Sequence, residues 1–150
     1  MPANIGETEL VFLPINDGDG GTGGGTHWSL LVYHRAARTF YIYDSMASRN
    51  DWHATRTIHR FSELVILSAP PKVLHIPGNQ QANSSDCGVF VCAMMEELAQ
   101  SYLSHRESGP SSKEVIEESL TRLTAVGLTP PGRMRSLLKE RIKGLAGLCS

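Results

Sequence analysis

Apolar positions cluster in short runs over the first half of the chain and recur at helical spacing over the second. Glu9-Leu10-Val11-Phe12-Leu13-Pro14-Ile15 reads as a buried strand. Trp28-Ser29-Leu30-Leu31-Val32-Tyr33 and Thr39-Phe40-Tyr41-Ile42-Tyr43 are β-branched and aromatic strands around the polar turn His34-Arg35-Ala36-Ala37-Arg38, a hairpin pattern. Between the first and second strands, Asn16 to Thr26 carries six glycines from Gly18 to Gly25. Glycine loses the most conformational freedom on ordering, so this loop is predicted to stay mobile unless a partner pins it. Ile58, Phe61, Leu64 and Val65 predict an amphipathic helix from about His53 to Ser68, and Lys72-Val73-Leu74-His75-Ile76 a further short strand.

From Asp86 onward the period is helical. Val91, Met95, Leu98 and Tyr102 share one face, Cys92 is expected in the core of the same helix, and Asp86 is a natural N-cap. Ser111-Ser112-Lys113-Glu114 matches a capping box that opens a helix through Val115, Ile116, Leu120 and Leu123. Thr129-Pro130-Pro131 starts another, carrying Met134, Leu137, Leu138, Ile142 and Leu145. Strands early and helices late imply an α+β fold, read as one domain over residues 1–150.

Composition narrows the function classes. A hydrophobic fraction of 41% and a net charge of −1 describe a soluble globular chain with no basic patch for nucleic acid. No apolar run reaches membrane-spanning length and no signal peptide is visible, so no membrane role is expected. Three cysteines without C-x-x-C spacing favour neither a disulfide framework nor zinc. His34, His53, His59, His75 and His105 lack ligand spacing, and no metal site is expected. A reducing compartment, cytoplasm or nucleus, is the default.

The chemistry-bearing stretch is Gln80-Gln81-Ala82-Asn83-Ser84-Ser85-Asp86-Cys87-Gly88. It puts a thiol in the first turn of a helix, where free backbone N–H groups and the helix dipole favour the thiolate. The hairpin offers a base and an acid. With its turn centred between Arg35 and Ala36, His27 faces Asp44, and cross-strand neighbours lie roughly 5 Å apart. A two-residue slip leaves the pair diagonal and still within reach, whereas a one-residue slip puts the two on opposite faces. A nucleophile, a base and an orienting carboxylate then come from three separate segments. The Cys87 amide and a side-chain amide from Gln81 or Gln80 are candidate oxyanion donors, which spacing alone does not separate.

These residues resemble the ubiquitin-like-protein proteases, the Ulp or sentrin/SUMO-specific cysteine peptidase family. Its signature is a His-Trp opening a strand, an Asp ending the next, and Gln-x-x-x-x-Asp-Cys-Gly. They stand here as His27-Trp28, Asp44, and Gln81 through Asp86-Cys87-Gly88. The resemblance implies a papain-like cysteine protease fold, a small mixed sheet packed with helices. It implies Cys87 as nucleophile, His27 as base, Asp44 as its orienter and Gln81 as oxyanion donor. Trp28 matches the tryptophan that covers the Gly-Gly tail of the modifier, and Gly24, Gly25 and Asp86 are expected substrate contacts.

Val11-Phe12-Leu13 leading to Ile15-Asn16-Asp17, the long loop, and Gly24-Gly25-Thr26-His27-Trp28-Ser29-Leu30-Leu31-Val32-Tyr33 look most similar to the deneddylase branch. That implies cleavage after the C-terminal Gly-Gly of a Nedd/Rub-type modifier and release from conjugates such as cullins, by a monomer without cofactor. SUMO specificity, or a module that binds the modifier without catalysis, are the alternatives. Family domains usually carry a substantial segment ahead of the strand at Val11, so a chain shortened at its N-terminus is expected.

Overall fold

A computed structural model describes residues 5–18, 24–65, 67, 69–106, 114–120 and 130–148. The elements run β1 (Leu10–Asn16), β2 (Trp28–His34), β3 (Thr39–Tyr43), α1 (Asp51–Leu64), β4 (Lys72–His75), α2 (Cys87–Arg106), α3 (residues 114–120) and α4 (Pro131–Leu148). The sheet order is β1-β2-β3-β4, antiparallel except for the parallel β3–β4 pair. This is the small mixed sheet the resemblance implied. The capping box at Ser111 to Lys113 lies outside the described residues, as does the middle of the glycine-rich loop.

β2 and β3 read as unbroken apolar runs because both faces of the sheet are covered. Leu30, Val32, Tyr41 and Tyr43 pack under Phe90, Val91, Met94 and Leu98 of α2 and under Ile116 and Leu120 of α3. On the opposite face, Ile15, Leu31, Tyr33, Phe40 and Ile42 pack against Ala54, Ile58 and Phe61 of α1. Tyr33, Phe40 and Phe61 form an aromatic cluster, with the Phe40 and Phe61 rings edge to face at 5.7 Å. A continuous apolar strand is what two-sided burial requires.

Three expectations are corrected here. The hairpin pairs Leu30 with Tyr43 and His34 with Thr39, two residues off the expected register. A two-residue turn at Arg35-Ala36 would need positive φ at Arg35 or at both positions, which side-chain-bearing residues resist. The chain instead makes a four-residue turn closed by Arg38 N–H on the Arg35 carbonyl, with Arg38 alone left-handed at φ 48°. Next, α1 stops at Leu64, whose side chain is exposed rather than packed. Finally, Cys92 is exposed on α2 and belongs to neither core cluster.

One close contact fixes the segment that leads to Cys87. A Cβ on Gly78 would come within 2.5 Å of the Tyr43 ring, and the Tyr43 hydroxyl donates to the Asn79 carbonyl at 3.1 Å. Gly78 lets the backbone lie flat on a fully buried tyrosine. The loop is thereby held beside the end of β3.

Candidate active site

His27 closes the glycine-rich loop immediately before β2, and Asp44 follows the last residue of β3. The two-residue register slip preserves side-chain parity, so the pair is diagonal and still meets. His27 Nε2 lies 2.6 Å from Asp44 Oδ1, with the side chains 0% and 4% exposed. The same carboxylate accepts from the Met46 N–H at 2.8 Å and the Asn50 N–H at 2.9 Å. Three donors fix its orientation. With Nε2 donating to Asp44, a tautomer assigned from this network, Nδ1 carries the ring's lone pair. Nδ1 is buried and has no hydrogen-bond partner among the described residues. Ser29 Oγ and Asn50 Oδ1 are unpaired as well, so what marks this ring is the combination of a free Nδ1 with an Nε2 bonded to a buried carboxylate.

The backbone of His27 is held as closely as its ring. Its N–H donates to Asp17 Oδ1 at 2.8 Å, and its carbonyl accepts from Asp17 N–H, Asn16 Nδ2 and Asn50 Nδ2. Asn50 occupies the N-cap position of α1 but makes no capping bond, because its amide is turned inward to Ile15 and His27. The Thr26 amide and hydroxyl also donate to Asp17, and Arg49 lies 3.6 Å from it. Gly25 packs so tightly on Asn16, Asp17 and Gly18 that any Cβ there would overlap them. Asp17 thus ties the two ends of the long loop together behind the imidazole.

Burial alone would raise the Asp17 carboxyl. The donors from His27 and Thr26, with the charge of Arg49, outweigh it and hold the carboxyl below its ordinary value. A group with a depressed folded pKa contributes stability above its unfolded pKa, lost as pH falls through the folded value. Asp17→Ala is therefore expected to melt earlier than the parent at neutral pH. The gap should close on acidification below about pH 4, the ordinary carboxylate range. Thermal melts of both proteins from pH 7 to pH 3 check this; a constant gap would show that Asp17 acts only by shape.

Cys87 begins α2 and is buried at 6% exposure. The first helical bond, Phe90 N–H to the Asp86 carbonyl, puts Asp86 at the cap position, while its carboxylate bonds Asn83 and Arg135. One turn further on, Val91 shares a core cluster with Leu30 and Tyr43, three and one positions from His27 and Asp44. The nucleophile helix and the His–Asp hairpin are therefore packed on one another near their ends. No hydrogen bond joins the thiol to the imidazole, since Nδ1 is unpaired. Resting sites are often this loose and tighten with substrate.

The two glutamines separate by what they hold. Gln80 donates to the Asp44 carbonyl and accepts from the Ala47 N–H, clasping the turn after β3. Gln81 accepts the Ser45 hydroxyl at 2.7 Å and donates to the Asn83 carbonyl. Only the amide nitrogen can face that carbonyl, which fixes the flip of Gln81 and keeps one of its N–H bonds free. Trp28 is 43% exposed at the head of β2, and Gly24 is exposed. Asp86, an expected substrate contact, has its carboxylate bonded by Asn83 and Arg135, which in that order hold it below its ordinary pKa.

Sequence reasoning did not single out Asp17, Asn50, Ser45 or Arg135. Of these, Asp17 stood only within the Ile15-Asn16-Asp17 run of the deneddylase resemblance, with no role given to it, and Asn50, ahead of a helix, pointed to a cap.

A buried His–Asp pair on a hairpin, packed beside a helix that starts with a cysteine, is the layout of a papain-like cysteine peptidase. Residues 2–118 match the Ulp1 protease family, C-terminal catalytic domain, and the chain belongs to that family. It is 32% identical over 124 residues to a probable sentrin-specific protease 8 of Dictyostelium discoideum, covering 77% of this chain and 51% of that protein. It is 37% identical over 94 residues to NEDD8-specific protease 1 of Arabidopsis thaliana, covering 61% of this chain and 42% of that protein. The chain spans about half the length of the curated relatives it matches. A crystal structure described as the de-sumoylating protease superposes with a TM-score of 0.57 at 15% identity, over 96% of this chain and 61% of the other; it shows the shared fold.

Proposed function

We propose that this chain carries the catalytic centre of a deneddylase, cleaving after the C-terminal Gly-Gly of a Nedd-type modifier. One observation carries the reading: a buried imidazole whose Nε2 is locked on Asp44 and whose Nδ1 is left without a partner. Relatives named NEDD8-specific proteases support the choice of modifier. His27 Nδ1 takes the Cys87 proton and the thiolate attacks the terminal glycine carbonyl. The Cys87 amide and Gln81 Nε2 receive the developing oxyanion. Protonated His27 then protonates the departing lysine amine, and water, deprotonated by the same ring, hydrolyses the thioester. Trp28 covers the extended tail. Cullin conjugates, a monomeric state and a cytoplasmic or nuclear setting belong to the same reading.

The test presents the purified protein with Nedd-type and SUMO-type modifiers bearing a C-terminal electrophile. Preferential labelling by the Nedd-type probe is expected. Labelling by SUMO alone would overturn the choice of modifier, and binding of either modifier without labelling would leave a non-catalytic binding module.

A further inference from the structure

The C-terminal helix reaches back to the residue in front of the nucleophile. Arg135, in the second turn of α4, points its guanidinium at the Ser85-Asp86 peptide. Nε donates to Asp86 Oδ1 at 2.9 Å, one terminal nitrogen donates to the Ser85 carbonyl at 2.9 Å, and the same nitrogen also bonds Asp86 Oδ1. A flat fork with fixed donors is suited to gripping a carboxylate and a neighbouring carbonyl together. Further along the same two helices, Arg141 pairs with Glu96 of α2. Met134, beside Arg135, is buried at 3% exposure. α4 is thus fastened to α2 and its leading segment at two points, one of them on the two residues that precede Cys87. It lies wholly outside residues 2–118, the span matched to the family.

We propose that α4 braces the nucleophile segment, and that Arg135 is a positioning residue for Cys87; this rests on Cys87 being the nucleophile. Two effects follow from the contacts. Pinning both Ser85 and Asp86 fixes the backbone from which the Cys87 amide and thiol project. In addition, an unpaired Asp86 carboxylate next to the reacting sulfur would oppose thiolate formation, and the guanidinium cancels that charge. Charged groups on the elements that carry Cys87 or pack beside its helix include Asp86 on its own loop, Arg135 on α4 and the His27–Asp44 pair by the sheet. Arg133 offers an internal control: it sits in the first turn of α4, is exposed, and makes no ion pair among the described residues.

The experiment measures the inactivation rate constant and the apparent affinity for the reactive modifier probe in the parent, Arg135→Ala, Arg135→Lys, Asp86→Asn, the Arg135→Ala/Asp86→Asn double variant and Arg133→Ala. Melting temperatures are recorded alongside. Arg135→Ala is expected to slow inactivation about ten- to a hundredfold at unchanged affinity, as small misplacements of a reacting group do. Arg135→Lys should recover part of the loss, the Asp86→Asn background should shrink it, and Arg133→Ala should react like the parent. An unchanged rate in Arg135→Ala overturns the proposal, as does an equal loss in Arg133→Ala or a loss shared fully by affinity. If Arg135→Ala fails to fold, the Arg135→Lys and Asp86→Asn pair carries the test, and parent-like rates in both overturn it. Iodoacetamide alkylation of Cys87, read by peptide mapping, follows the same variants without any modifier. A modifier that never reacts with the parent then counts against the proposed function, while the alkylation series still decides the brace.

Discussion

Asp44→Ala is expected to lower kcat by about ten-thousandfold, the scale seen when a triad's orienting carboxylate is removed while nucleophile and base remain. The structure gives the reason atom by atom. Asp44 bonds His27 Nε2, and it also receives two backbone amides, Met46 N–H and Asn50 N–H. Alanine frees the ring to turn and to place its proton on Nδ1, where the lone pair is needed. It also orphans buried donors, each at a cost of about 1–3 kcal/mol, so melting should move down with activity. Asp44→Asn separates the two effects. Its carbonyl can stay on His27 and Met46 while its NH2 confronts only the Asn50 N–H. The asparagine variant should therefore melt nearer the parent than alanine does, yet remain impaired for want of the charge that stabilises imidazolium. Steady-state kinetics on a C-terminally extended modifier, with melts of all three proteins, check this. Equal activity in parent and alanine variant would remove Asp44 from the mechanism.

What could be read from the chain depended on whether a feature is carried by period or by polar contacts. β2 and β3 were legible because two covered faces demand unbroken apolar runs, and α2 because Val91 and Leu98 recur at helical spacing. The hairpin register was not, since it depends on Arg38 adopting a left-handed conformation, which the residue type does not announce. His27 and Asp44 met anyway because a slip of two preserves the face. Cys92 shows the limit of periodicity: an apolar neighbourhood in sequence surrounded a position that the packing leaves exposed. Asp17, Asn50 and Arg135 stayed hidden for another reason. Their partners lie across distant loops or a separate helix, and polar residues in loops carry no period that would disclose where they point.

That exposed Cys92 sharpens the last expectation. Cys87→Ala should abolish the covalent adduct with the modifier probe and all peptide-bond cleavage, while Cys92→Ala leaves both at the parental level. Position rather than accessibility is what separates the two thiols. Cys92 is the more accessible, but it sits in mid-helix, where backbone N–H groups are already bonded and no dipole end faces the sulfur. Cys87 is nearly buried, yet it starts α2, where the amides are unpaired and the positive end of the helix lies. A small alkylating reagent should thus mark both thiols, Cys92 through its exposure and Cys87 through its place at the helix start, whereas a probe delivered by the modifier's tail should select Cys87. Alanine suits the first turn of a helix and removes one sulfur, so melting should change little and the loss of adduct can be assigned to chemistry. Intact mass after incubation with the probe reads the result directly. An adduct that survives Cys87→Ala and vanishes in Cys92→Ala would move the nucleophile to the exposed face of α2, away from His27, and end the case for a papain-like mechanism.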